Sequence, residues 1–238
     1  MLRDTTVHVL LDESGNFHET KRLVVGAAIT PNLAELELAL KVLFEEQEDS
    51  PQLSGLKSFA DFRANGFHYC ENPREIQTLF LDKISKLHGY RAHLAFTDRT
   101  ALPDLDDNQR VLILYRTLIT DLILQTRHSE IVFLFEHNSQ LNSQFSELVE
   151  IGVEEARNRS HGRRLPTASV EIVKKNDLFS LSIIDYCMAT VSNWADAGFV
   201  VDKQNWQYRN YLSFERNIAM IFDFDRRMRS TRDNRMFH

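Results

Sequence analysis

Ile131-Val132-Phe133-Leu134-Phe135 is apolar at every position, and that run limits the chain more than any other. Side chains of a strand alternate between two faces, so a run with no polar position needs apolar cover on both sides. It predicts a central strand sandwiched between helical layers. The flanking segments fit such a protein. Val7 to Asp12 reads as a strand and Arg22 to Thr30 as a second, and the short Gly15-Asn16 link favours an antiparallel pair. Tyr90 to Phe96 alternates with period two, and Ala168 to Val173 forms another short strand.

Between these strands the apolar residues recur at helical spacing. Pro31-Asn32 opens a helix with Leu36, Leu40, Leu43 and Phe44 on one face. Asn72-Pro73-Arg74-Glu75 is a helix start with Asn72 as N-cap, followed by Ile76, Phe80, Ile84 and Leu87. Asp104 to Asp107 leads into a long amphipathic helix with Val111, Tyr115, Leu118 and Leu122 in register, and Leu141 to Val153 carries a further apolar stripe. Asn176 or Asp177 caps a helix burying Leu181, Ile184, Met188, Val191 and Ala195. From Glu48 to Tyr69 the periodicity fails, and a loop that long is usually functional or mobile. The expected fold is α/β: a mixed sheet of about five strands with helices on both faces. Residues 1–200 form the domain, with 48–69 as a loop insertion, and 201–238 form a helical extension rich in Arg and aromatics. Ligands of such sheets collect at the carboxyl ends of the parallel strands.

Composition excludes some roles. In 238 residues with 43% apolar and 26% charged side chains, no apolar run approaches a membrane span, and the N-terminus lacks a secretory pattern. Cys70 and Cys187 are far apart without metal-type spacing, which suits a reduced, cytoplasmic setting. A formal net charge of −6 argues against a general nucleic-acid coating protein, although not against an enzyme that grips a nucleic acid locally.

The chemistry concentrates in acids. Asp12-Glu13-Ser14-Gly15 ends the first apolar strand, and Glu136 directly follows the fully apolar one. If those strands are parallel neighbours, Asp12 and Glu136 converge. A third acid, Asp185, sits in the most apolar part of its helix, with Ser182, Ala189 and Ser192 beside it. Those small neighbours would let the helix approach the sheet; the competing explanation for Asp185 is an ion pair with an arginine. Three converging carboxylates need a cation, and an oxygen-only set suits Mg²⁺ or Mn²⁺ rather than Zn²⁺. Two such ions roughly 4 Å apart activate a water and stabilise the leaving oxygen in phosphodiester hydrolysis. Glu13 is a possible further catalytic group, although strand alternation points it away from Asp12.

The chain resembles the domain-of-unknown-function family 3800, whose fold is similar to ribonuclease H. The resemblance covers most of residues 7–195. It rests on D-E-S-G at Asp12 to Gly15, F-H at Phe67-His68, the acid Glu136 after a middle strand, and Leu181-Ser182-Ile183-Ile184-Asp185. In that last motif Ser182 stands where the family usually has Gln. The resemblance implies a ribonuclease H-like fold and a two-metal nuclease or strand-transfer enzyme, with Asp12, Glu136 and Asp185 as ligands. It also implies a gene neighbourhood of mobile elements or phage defence.

His68 is an accessory candidate for orienting a phosphate or moving a proton, or else a structural histidine. Asn138 is either a support for Glu136 or a turn residue. Arg157, Arg159, Arg163 and Arg164, together with the arginines of 226–235, are candidate phosphate contacts or ordinary solvated surface. Trp206, Tyr208, Tyr211, Phe214, Phe222 and Phe224 would stack bases or pack a terminal helix. The function expected is a Mg²⁺- or Mn²⁺-dependent nuclease acting on DNA or RNA. The rival is a non-catalytic binding or regulatory module that engages a partner protein, and a third option is a hydrolase of small phosphoesters.

Overall fold

The computed structural model describes residues 2–15, 22–56 and 59–235. Its seven strands form one mixed sheet in the order β5-β4-β1-β2-β3-β6-β7. They are β1 (Arg3–Ser14), β2 (Leu23–Thr30), β3 (Arg91–Thr97), β4 (His128–Glu136), β5 (Thr167–Val173), β6 (Ile218–Asp223) and β7 (Met228–Thr231). β1, β4 and β5 run parallel, as do β3 and β6, while β2 is antiparallel to both β1 and β3. The antiparallel opening pair expected from the sequence is present. Asn16 of its expected turn lies outside the described residues.

Among the described residues seven α-helices cover the sheet: α1 (Leu33–Glu48), α2 (Phe59–Asn65), α3 (Arg74–Lys86), α4 (Asp107–Gln125), α5 (Phe145–Arg159), α6 (Leu181–Asp196) and α7 (Trp206–Phe214). Strand parity sorts them into two layers. Val7, Val9 and Leu11 of β1 pack with α4 and α5, while Leu10 packs with α1, α3, α6 and α7. β4 divides the same way, with Phe133 and Phe135 on the α4–α5 side and Leu134 on the other. Fully burying one such side chain contributes about 1.5–3 kcal/mol, so both apolar layers are needed.

Three expectations change. The segment 48–69 contains α2, and Phe59, Phe62 and Phe67 are buried against Phe44, Phe80 and Phe179; aromatic packing orders what lacks periodicity. The stretch 201–238 is not a helical extension alone: α7 is followed by β6 and β7, and β6 pairs with β3, bringing the sheet to seven strands. Tyr211 of α7 does stack on Trp194, with ring centroids 4.2 Å apart. Finally, neither Asn176 nor Asp177 caps α6. Residues Lys175–Asp177 form a 3₁₀ turn, and Glu37 of α1 accepts hydrogen bonds from the Phe179 and Ser180 N–H groups and from the Ser180 hydroxyl. A carboxylate from another helix thus satisfies donors at the start of α6.

Candidate metal centre

Asp12 shares the face of Leu10 on β1, and Glu136 shares the face of Leu134 on β4. The parallel register pairs Leu11 with Phe135, which sets the two acids side by side at the carboxyl ends of neighbouring strands. The next parallel strand, β5, ends at Val173 and delivers Lys175 to the same place. Asp185 arrives from α6 above the sheet. The Lys175 ammonium stands 3.2 Å from Asp12 Oδ2, 2.8 Å from Glu136 Oε2 and 3.4 Å from Asp185 Oδ2. The three acids singled out in the sequence therefore meet around one nitrogen, whose side chain is only 6% exposed.

Further hydrogen bonds fix the carboxylates. Asp12 Oδ1 accepts from the Glu13 N–H at 2.7 Å, and Asp185 Oδ2 accepts from the Tyr69 N–H at 3.0 Å. Burial raises the Asp12 pKa well above the usual carboxylate range; Lys175 opposes that rise, while Glu136 and Asp185 add to it. Burial disfavours the charge on Lys175, but Asp12, Asp185 and Glu136 together outweigh it and hold the ammonium pKa above its ordinary value.

The helix–sheet approach has a different cause from the one expected. Gly26 of β2 pairs with Asp12, and a Cβ built on it would lie 2.4 Å from Ile184 Cγ1 and 2.9 Å from Met188 Cγ. The missing side chain is on the sheet, and large helix residues fill the space. Ser182, one of the small neighbours cited from the sequence, is buried, but it is the glycine that admits α6.

Glu13 faces the other layer, as alternation requires. Its carboxylate accepts from the Tyr115 hydroxyl and from Asn138 Nδ2, each at 2.5 Å, and it lines the same cavity as the group around Lys175 without pairing with that lysine. Burial, then the charge of Asp12, raises its pKa. Asn138 serves this bond and its own turn, accepting from the Gln140 N–H at 2.9 Å. His68 lines the same cavity of about 380 Å³ as Asp12, Glu136, Lys175 and Asp185. Its pKa is lowered, first by burial and then by Lys175. Its backbone N–H donates to Asn72 Oδ1, which also accepts from the Tyr186 hydroxyl; Asn72 fastens this loop instead of capping α3.

The arginines do not gather here. Arg157 pairs with Glu154 and Arg159 with Asp121, while Arg163 donates to the Thr126 carbonyl. Arg163 and Arg164 line a cavity with Arg127 and Leu2 at the opening of β1 and β4. The eight residue steps of β4 separate that end from Glu136, about 25 Å at the usual rise. In the tail, Arg229 pairs with Asp121 and Arg235 with Glu215. Of the aromatics there, Trp206 is exposed, and Tyr208, Tyr211, Phe214, Phe222 and Phe224 are buried.

Lys175 is the site residue the sequence reading missed. The signal was present: it follows a parallel strand by two residues, the same strand-end logic that marks Asp12 and Glu136.

Fold and site together define a class of α/β protein. It has a mixed sheet covered by helices on both faces, with charged groups at the carboxyl ends of adjacent parallel strands. The chain is similar to a chain of the solved PCNA:RNase HII complex from Archaeoglobus fulgidus, at 12% identity and a TM-score of 0.47, over 87% of this chain and 86% of that one. No family model matches the chain, and no curated protein matches it. No helix among the described residues is long and apolar enough to cross a membrane.

Proposed function

We propose that this protein is a divalent-metal-dependent nuclease of ribonuclease H-like fold, and that its D-E-S-G strand places it with domain-of-unknown-function family 3800. One observation carries the reading: Asp12, Glu136 and Asp185, distant in sequence, share a single buried cation. The ammonium of Lys175 is a stand-in that tests whether the donors fit a metal. All three are carboxylates, the hard oxygen set that Mg²⁺ or Mn²⁺ takes. Among the described residues no three acidic, His or Cys side chains close to ligand spacing. Their oxygens stand 2.8–3.4 Å from the ammonium, wider than the roughly 2.1 Å of a Mg²⁺–oxygen contact.

Asp12, Glu136 and Asp185 would hold the metal, which when bound activates water and offsets charge on the phosphate. The chain's own groups prepare that centre. The Tyr69 N–H and the Glu13 N–H orient two of the carboxylates, and the rigid strand ends hold Asp12 and Glu136 in register. His68 borders the cavity as a neutral imidazole, suited to accept a proton or a hydrogen bond from water. Arg127, Arg163 and Arg164 form a separate basic face that would meet a remote stretch of a long polymer.

Divalent metal should support cleavage of DNA or RNA, and Asp12→Asn should lower the rate at least about a hundredfold without unfolding the protein. Equal cleavage by wild type and variant ends the catalytic reading. A second reading has its own support. Lys175 already neutralises part of the acidic cluster, as a structural ion-pair network would in a binding module engaging a partner protein. Calorimetry with Mn²⁺ that shows no uptake by the wild type would select it.

A further inference from the structure

We infer that Lys175 permanently holds one of the two cation positions of this centre, so that the protein takes a single divalent ion where the sequence suggests two. The inference rests on the nuclease reading above and deepens it.

Charge supports one ion. The ammonium already brings one positive charge to within 2.8–3.4 Å of all three acids, so less negative charge is left for divalent ions to balance. A second ion sharing all three acids would need the place that the ammonium now occupies, within 2.8–3.4 Å of each of them. Like charges crowded there repel strongly in a buried setting.

The lysine is also poorly placed to leave. The Lys174 carbonyl accepts from the Asp177 N–H at 2.9 Å, and the Lys175 carbonyl accepts from the Leu178 N–H at 3.2 Å. Asn176 Nδ2 donates to the Ala64 carbonyl, and the Val173 carbonyl accepts from the His137 N–H. The turn that carries Lys175 is thus tied to α2, to the residue after Glu136, and through its neighbour Ser180 to Glu37. The ammonium donates to Asp12 Oδ2 and Asp185 Oδ2 and stands 2.8 Å from Glu136 Oε2.

Metal stoichiometry decides the question without any turnover. Titrating the full chain with Mn²⁺, followed by calorimetry and by the electron paramagnetic resonance of bound Mn²⁺, should give one ion per wild-type chain. Lys175→Met should bind two, the first at least about tenfold more tightly. Two ions on the wild type, or one on Lys175→Met at unchanged affinity, would overturn the inference and leave the nuclease reading standing. No binding by the wild type together with binding by Lys175→Met would overturn it differently, making the lysine a complete replacement for metal. No binding by either removes the nuclease reading itself. Should Lys175→Met fail to fold, the wild-type stoichiometry alone still separates one ion from two.

Discussion

Alanine at Gly26 probes the contact that brings Asp185 to the sheet. The new Cβ would stand 2.4 Å and 2.7 Å from the Ile184 Cγ1 and Cδ1 atoms and 2.9 Å from Met188 Cγ, whereas ordinary contact begins at 3.4 Å. Clearing the nearest atom requires about 1 Å of movement, and the β-branched Ile184 has little rotamer freedom with which to supply it. Overpacking of this kind costs about 1–3 kcal/mol. Relief of glycine's backbone entropy in a strand returns about 0.5–1 kcal/mol, so the net loss should be about 1–2 kcal/mol. For a chain of this size that lowers the melting temperature by roughly 2–8 °C. The same step moves Asp185, adjacent to Ile184, from 3.4 Å to beyond ion-pair reach of Lys175. Urea and thermal unfolding measure the first effect, and Mn²⁺ titration the second, where affinity should fall. Gly26→Ala as stable as wild type with undiminished affinity would show that α6 is not seated on that glycine.

Two further outcomes follow from His93 and Glu37. Burial pushes the His93 pKa down to about 4 from 6.5, so the folded state holds this imidazole neutral. Its contribution is complete above pH 6.5 and is lost as pH falls toward 4, on the order of 3 kcal/mol in total. The urea midpoint should drop across that window in wild type and less in His93→Leu; parallel pH profiles would refute the assignment. Glu37→Ala removes three hydrogen bonds at the start of α6 and should cost about 2 kcal/mol, with Glu37→Gln intermediate. Unfolding midpoints check it, and an alanine variant as stable as wild type would remove Glu37 as the cap.

What the sequence determined by itself is what repeats locally. Period-two alternation put Asp12 and Glu13 on opposite faces, and the structure has one beside Lys175 and the other on Tyr115. An unbroken apolar run predicted a doubly covered strand, and an acid directly after it had to stand at that strand's carboxyl end. Helical spacing likewise named most of the buried residues of α1, α3, α4 and α6. Tertiary structure decided what depends on residues far apart in the chain. The strands β6 and β7 become strands because β3 offers an open edge. Phe59, Phe62 and Phe67 find their order in one another, and α6 starts where Glu37 meets it. The cation shared by the three acids is a lysine because β5 lies next to β4 and ends level with it. Periodicity is a property of neighbours along the chain, whereas a common charge centre exists only after four separated segments have been packed into one place.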